Sequence, residues 1–311
     1  MPMRIAVMGS GGVGGYFGAL IARAGKDITF IARGDHLAAM RAGGLRVASE
    51  AVGEFTVPVK SAGAPAEVGF ADLVLFTVKM QSNAEAIPAI APMVGPKTVI
   101  LNLQNGVGNG EALGKVYGDD KIMVGPAYIQ ARLISPGVIQ QLGKGAKVAF
   151  GEMKGGITPR ARDLHKFFQE CGWTVDLVEN PQAVLWQKFI YLAASAGMNA
   201  ATWVNYGEMA KAPMTMEMTR EAIREIAAIA VASGVRFPED PVERAMKMMA
   251  GFPQDGNSSL AKDFRAGKTV ELDGLTGTVV RLGKELGVPT PVNRTIYAVL
   301  EPMAKRLGRG K

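Results

Sequence analysis

Lys188 interrupts the most apolar stretch of this 311-residue chain, residues 184–204, as do Gln187 and Asn199. A lysine on such a helix must reach water, pair with an acid or take part in chemistry. Desolvation disfavours the ammonium and lowers its pKa, which makes it a better proton donor near neutral pH. Four other side chains could work with it. Lys79 follows the apolar run that ends in Thr77-Val78, and Asn105 follows the next such run, in Gln104-Asn105-Gly106. Ser259 opens a helical stretch, and Glu271 stands in Val270-Glu271-Leu272-Asp273-Gly274 at the head of an apolar helix. Each also has a plain structural reading. Asn105 fits an Asn-Gly turn, Ser259 a helix cap, and Glu271 a carboxylate favoured by the helix dipole. A proton donor flanked by polar holders suits the protonation of an oxygen as its carbon is reduced.

Such a reduction needs a hydride source, and the N-terminus offers a place for one. The apolar run 3–8 leads into Gly9-Ser10-Gly11-Gly12-Val13-Gly14, and residues 15–25 then read as a helix. Strand, G-x-G-x-x-G and helix follow in the order of a dinucleotide-binding turn. Gly9 permits the sharp turn, Gly11 lets the backbone approach a pyrophosphate, and Gly14 lets the helix pack against the strand. The second strand, residues 27–32, should end at the ribose. An NAD site usually carries Asp or Glu there. This chain has Ala32-Arg33-Gly34, and Arg33 can hold a 2′-phosphate through two parallel hydrogen bonds. NADPH is therefore expected over NADH, although a small register shift would bring Asp35 to the ribose, and Arg33 also reads as a solvated surface arginine.

The elements that must position these residues alternate in the first half. A helix at 35–42, short strands at 45–47 and 55–59, a strand at 71–78, a helix after Gln81, a strand at 98–103 and a helix at 109–117 are expected. Strands in 122–150 are divided by Pro136-Gly137, and a helix at 164–171 and a strand at 174–178 follow. Repeats of this kind predict an α/β domain with a doubly wound, mainly parallel sheet. From Pro181 the chain turns into long helical segments, 182–204, 214–233, 241–249, 274–286 and 295–306. The expected division is a dinucleotide-binding domain at 1–180 and an all-α domain at 181–311. The helical domain is a candidate surface for pairing with a second copy.

Composition narrows the function classes. The net charge is +7, but lysines and arginines are spread along the chain, and only the tail 305–311 is densely basic. That tail reads as a solvated, frayed terminus, and no compact basic motif argues for nucleic acid. The single cysteine, Cys171, excludes an internal disulfide framework and fits a reducing cytoplasm. With His36 and His165 as the only histidines, a His/Cys metal site is not expected. The N-terminus carries no secretory pattern, and 184–204 is better read as a buried helix than as a membrane span.

Taken together, these motifs resemble the ketopantoate reductase (2-dehydropantoate 2-reductase) family over nearly the whole length. The resemblance rests on the glycine turn, Lys79, Gln104-Asn105-Gly106-Val107-Gly108, Pro136-Gly137-Val138 and Leu185-Trp186-Gln187-Lys188-Phe189. It continues through Ser258-Ser259-Leu260-Ala261-Lys262-Asp263 and Glu271-Leu272-Asp273-Gly274 to Gly287-Val288-Pro289-Thr290-Pro291. It implies NADPH-dependent reduction of the 2-oxo group of ketopantoate on the route to pantothenate. Lys188 would then donate the proton, Glu271 orient the substrate through its hydroxyl, and Ser259 bind the carboxylate. Asn105 would lie near nicotinamide and substrate, Lys79 beside both, and Arg33 at the 2′-phosphate. One departure stands out. The family usually carries asparagines four and eight residues after the lysine, where this chain has Leu192 and Ala196. Ser195 and Asn199 return to nearly the same helix face, about 10 and 16 Å along it, so Ser195 is a partial substitute. A different 2-oxo acid is the nearest alternative, and a non-catalytic NADPH-binding sensor is a rival of another class.

Overall fold

The computed structural model describes residues 2–308. The chain forms two compact units that divide between Val184 and Leu185. The first unit opens with β1 (Ile5–Met8), buried at every position, as a parallel strand covered on both faces must be. It runs through the glycine turn into α1 (Gly12–Arg23), then β2 (Ile28–Ile31) and α2 (Gly34–Gly43). The hairpin β3 (Leu45–Ser49) and β4 (Gly53–Val57) comes next, followed by β5 (Lys60–Ala62). Strand and helix then alternate through β6 (Ala71–Phe76), α3 (Asn83–Ala89), β7 (Val94–Asn102) and α4 (Asn109–Tyr117). The unit closes with β8 (Ile122–Val124), β9 (Ala127–Ser135), β10 (Val138–Glu152), α5 (Pro159–Glu170) and β11 (Thr174–Leu177).

The strands share one sheet in the order β4-β3-β10-β8-β7-β6-β1-β2-β5, with β9 and β11 also paired to β10. From β8 to β5 every pairing is parallel. Ile5 and Val7 enter one core and Ala6 and Met8 another, and β6 divides in the same way. Both faces are therefore covered, as the α/β expectation requires. β1 lies between β2 and β6, so the chain leaves it in opposite directions across the sheet. Its carboxyl end is the switch point where open sheets of this kind bind ligands. Beyond β8 the pattern changes, because the 15-residue β10 runs antiparallel to β8 and β9 and parallel to β3 and β11. The strand expected at 55–59 instead stops at Val57, the end of β4, and β5 starts afresh at Lys60. Pro58 lies between them, and proline has no N–H with which to continue a ladder.

The second unit is helical. α6 (Pro181–Thr202) begins with proline at its first position and with Asn180 Oδ1 accepting from Ala183 N at 3.0 Å, a standard N-terminal stop. α7 (Tyr206–Ala210), α8 (Pro213–Ala232), α9 (Pro241–Ala250) and α10 (Ser259–Arg265) follow. Caps by Asn205, Asp240 and Ser258 set three of their starts. The helix expected at 274–286 opens as a π-helical turn, Asp273–Gly277, before α11 (Thr278–Leu286). Gly274 and Gly277 weaken the α-helical preference there, and Tyr297 O–H holds the turn by donating to Asp273 Oδ1 at 2.7 Å. α12 (Pro291–Gly308) is docked by Glu225 of α8, whose carboxylate accepts from Val292 N and Asn293 N at 2.7 and 2.9 Å. The basic tail thus starts inside a helix, with Lys305 paired to Glu301 at 2.7 Å, and residues 309–311 lie outside the described residues. Among the described residues no helix is long and apolar enough to cross a membrane.

Candidate active site

The glycine turn has the geometry its spacing predicts. Gly9 sits at φ +106, and a side chain there would also press on Val78 N at 2.6 Å. A methyl group on Gly14 would collide with the Gly9 carbonyl and the Thr77 hydroxyl, and that hydroxyl donates to Gly9 O at 2.8 Å. Gly12 packs its α-carbon against the backbone of Ala131, and Val13 packs against the core. Gly11 is different, for a methyl group there would meet nothing within 4 Å. The α1 N-terminus has no side-chain cap. Open space above Gly11 and uncapped N–H groups at a helix start fit a pyrophosphate. Ser10 is buried and donates its Oγ to Ile31 O at 2.8 Å, which ties the turn to β2.

His36 also braces this turn. Gly137 N donates to its Nδ1 at 2.9 Å, which leaves Nε2 to donate to Ser10 O at 2.8 Å. The histidine thereby links the glycine turn to the β9–β10 corner. Sequence reading weighed His36 only as a metal ligand, and among the described residues no His, Cys, Asp and Glu cluster could hold a metal. Arg33 stands at the carboxyl end of β2, at the head of α2, and is exposed. Its Nη2 donates to Glu85 Oε1 of α3 at 2.8 Å. Glu85 escaped the sequence reading, which sought a carboxylate only near the end of the second strand.

Lys79 and Asn105 lie three residues beyond the ends of β6 and β7, and both are exposed. A partly buried amide network clamps these two strand ends together. Gln104 Nε2 donates to Val78 O at 2.8 Å and Asn83 Oδ1 at 2.7 Å. Asn83 Nδ2 donates to Asn109 Oδ1 at 2.8 Å, and Asn109 Nδ2 to Asn105 O at 3.1 Å. Both sequence-selected residues are thus held at the carboxyl edge of the parallel sheet.

The helical unit carries the rest. Lys188 is partly buried on α6, and desolvation lowers its ammonium from 10.5 to about 8. One turn on stands half-buried Leu192, then buried Ser195, Ala196 and Asn199. Asn199 Oδ1 accepts from Ser258 N and Oγ at 2.8 and 3.0 Å, and its Nδ2 donates to Val204 O at 2.6 Å. Its amide is committed to holding the start of α10. The hydroxyl of Ser195 bonds Leu192 O at 3.4 Å. Tyr206 places its hydroxyl within hydrogen-bond reach of Ser195 and Ser258, while its burial raises the phenol above its ordinary pKa. Ser195, Asn199, Tyr206 and Ser258 thus form one polar cluster beneath the first turn of α10. Ser259 is the exposed first residue of that helix, and Glu271 is half-buried just before the π turn. The sequence reading did not single out Tyr206; its place follows only from the fold.

A parallel sheet with an open glycine turn at its switch point, joined to a helical unit bearing a low-pKa lysine, defines a dinucleotide-dependent oxidoreductase. Comparison with known proteins narrows the class. The family description "Ketopantoate reductase PanE/ApbA" matches residues 5–155, and its C-terminal counterpart matches residues 180–304. The 2-dehydropantoate 2-reductase of Aquifex aeolicus is 30% identical over 309 residues, covering 97% of each chain. The crystal structure of a PanE/ApbA family ketopantoate reductase from Ralstonia eutropha JMP134 superposes with a TM-score of 0.90 at 31% identity, covering 98% of this chain and 100% of that one. D-mandelate dehydrogenase, solved with NADH and anilino(oxo)acetate, shares the fold at 21% identity, with a TM-score of 0.88 and coverage of 98% and 99%. The chain belongs to the ketopantoate reductase family and is an oxidoreductase acting on a CH–OH group with a nicotinamide cofactor.

Proposed function

We propose that this enzyme reduces the 2-oxo group of ketopantoate to pantoate with NADPH, in the cytoplasm and on the route to pantothenate. The observation that carries the reading is Lys188, a desolvated ammonium with a pKa of about 8 at the family's lysine position. When bound, NADPH would supply the hydride for the 2-oxo carbon. Lys188 holds the proton that the carbonyl oxygen takes up, and near neutral pH a donor of this pKa is still protonated but gives its proton readily. Ser259 holds the substrate carboxylate, and Glu271 accepts from its hydroxyl. Asn105 and Lys79, presented at the strand ends, position the reacting groups, with Ser195 as a supplementary polar contact. Gly9, Ser10, Gly11, Gly12, Val13 and Gly14 would hold the pyrophosphate, and Arg33 would pair with the 2′-phosphate. Pairing of two copies through the helical unit belongs to the same proposal. That unit exposes Met214 and Val299 beside an apolar groove of about 440 Å³, and sedimentation velocity tests it.

A second reading keeps the chemistry and changes the substrate. Leu192 and Ala196 offer no hydrogen bond where asparagines are expected, so a 2-oxo acid with an apolar side chain competes with ketopantoate. D-mandelate dehydrogenase, solved with NADH and the aryl-bearing anilino(oxo)acetate, supports this second reading. NADPH oxidation with ketopantoate beside branched and aromatic 2-oxo acids tests both readings. Ketopantoate is expected to give the highest kcat/KM. A branched or aromatic acid at least tenfold better would replace it with the second reading.

A further inference from the structure

The Arg33–Glu85 pair bears on which dinucleotide the turn accepts, and this inference rests on the dinucleotide-binding reading above. Arg33 stands where the adenosine ribose of a bound dinucleotide ends, past the last residue of β2. Glu85 belongs to a different element, α3, reached from the carboxyl end of β6. Its Oε1 nevertheless lies 2.8 Å from Arg33 Nη2, and both side chains are about two-thirds exposed. The ribose end therefore holds both groups that proteins use to tell the two cofactors apart. A guanidinium favours a 2′-phosphate, and a carboxylate accepts from a 2′-hydroxyl while repelling a phosphate.

We infer that Glu85 is a specificity-determining residue that narrows the preference for NADPH over NADH, so that the chain binds both. Toward NADPH, Glu85 competes with the 2′-phosphate for Arg33 and adds like charge beside it. Toward NADH, the same carboxylate offers the acceptor that the end of β2 lacks. An exposed ion pair of this kind is weak, so the arginine can be drawn from Glu85 by a doubly charged phosphate. The pair then acts as a competitive element at the ribose rather than a fixed brace. Asp35, in the first turn of α2, adds negative charge nearby on the chain but has no bond to Arg33 among the described residues.

The test is equilibrium binding, independent of turnover. Dissociation constants for NADPH and NADH are measured by quenching of protein fluorescence for the wild type, Glu85→Gln and Arg33→Ala. The wild type is expected to bind both cofactors within about tenfold of each other. Glu85→Gln should tighten NADPH and weaken NADH, and so widen the ratio by about threefold to tenfold, the worth of one charged hydrogen bond at an exposed site. Arg33→Ala should weaken NADPH selectively and bring the ratio to one or below. An unchanged or smaller ratio in Glu85→Gln would overturn the inference and make Glu85 a mere support for Arg33. If the wild type binds neither dinucleotide, the functional reading itself fails.

Discussion

Replacing Lys188 by methionine should make the protein more stable while disabling it. The side chains have similar length, so the change mainly removes a charge from a desolvated place. Burial lowers the ammonium from 10.5 to about 8, and at about 1.4 kcal/mol per unit this is a native-state penalty of about 3 kcal/mol. At pH 7 both folded and unfolded chains carry the proton, so the whole penalty is present. Between pH 8 and 10.5 the folded wild type has released the proton while the unfolded chain still holds it, so wild-type stability rises with pH. Above 10.5 neither state is charged and the penalty is gone. Urea unfolding of both proteins, followed by circular dichroism at several pH values from 7 to 11, reads this directly. The variant should lead by up to about 3 kcal/mol at pH 7, and the lead should close across pH 8 to 10.5. A pH-independent gap, or a variant less stable at pH 7, would show that the ammonium is stabilised where it sits and would refute the reasoning.

Three further substitutions probe the site and its supports. Gly11→Ala meets open space whereas Gly14→Ala collides with the Gly9 carbonyl and the Thr77 hydroxyl. The first should melt within a degree or two of wild type but weaken dinucleotide binding, and the second should lose about 1–3 kcal/mol of stability as well; calorimetry with and without cofactor separates them, and a Gly11→Ala protein with unchanged affinity would remove the pyrophosphate from that turn. Asn199→Ala should cost about 2–4 kcal/mol, because it leaves Ser258 N and Val204 O without their buried partner. Urea denaturation measures it, and a loss under 0.5 kcal/mol, about the scatter of a neutral surface change, would contradict the bracing role given to Asn199.

What the sequence made legible was local. Gly9, Gly11 and Gly14 could be assigned their parts because a strand–turn–helix unit fixes each glycine against its neighbours within a few residues. Lys79 and Asn105 were legible as strand-end residues for the same reason, and Lys188 because a charge on an apolar helix is conspicuous. Glu85 was not, since it meets Arg33 across 52 residues and only the packing of α3 beside the end of β2 creates the pair. Tyr206 and His36 escaped as supports because their partners, Ser195 and Ser258 for one and Ser10 and Gly137 for the other, belong to different elements. The π turn at Asp273–Gly277 was read as an ordinary helix, since apolar periodicity does not register one extra residue in a turn. The apolar stretch around Lys188 was legible as a buried helix rather than a span, because Gln187, Lys188 and Asn199 interrupt it, and it forms α6.

The proton donated by Lys188 is the centre of the proposed chemistry, and the pH dependence of single-turnover NADPH oxidation with saturating ketopantoate tests it most directly. The wild-type rate should be level below pH 8 and fall about tenfold per unit above it as the ammonium is lost, while Lys188→Ala should be slower by about a hundredfold or more and bind NADPH with near-normal affinity. A Lys188→Ala enzyme that keeps the wild-type rate and the same fall in alkali would contradict the assignment.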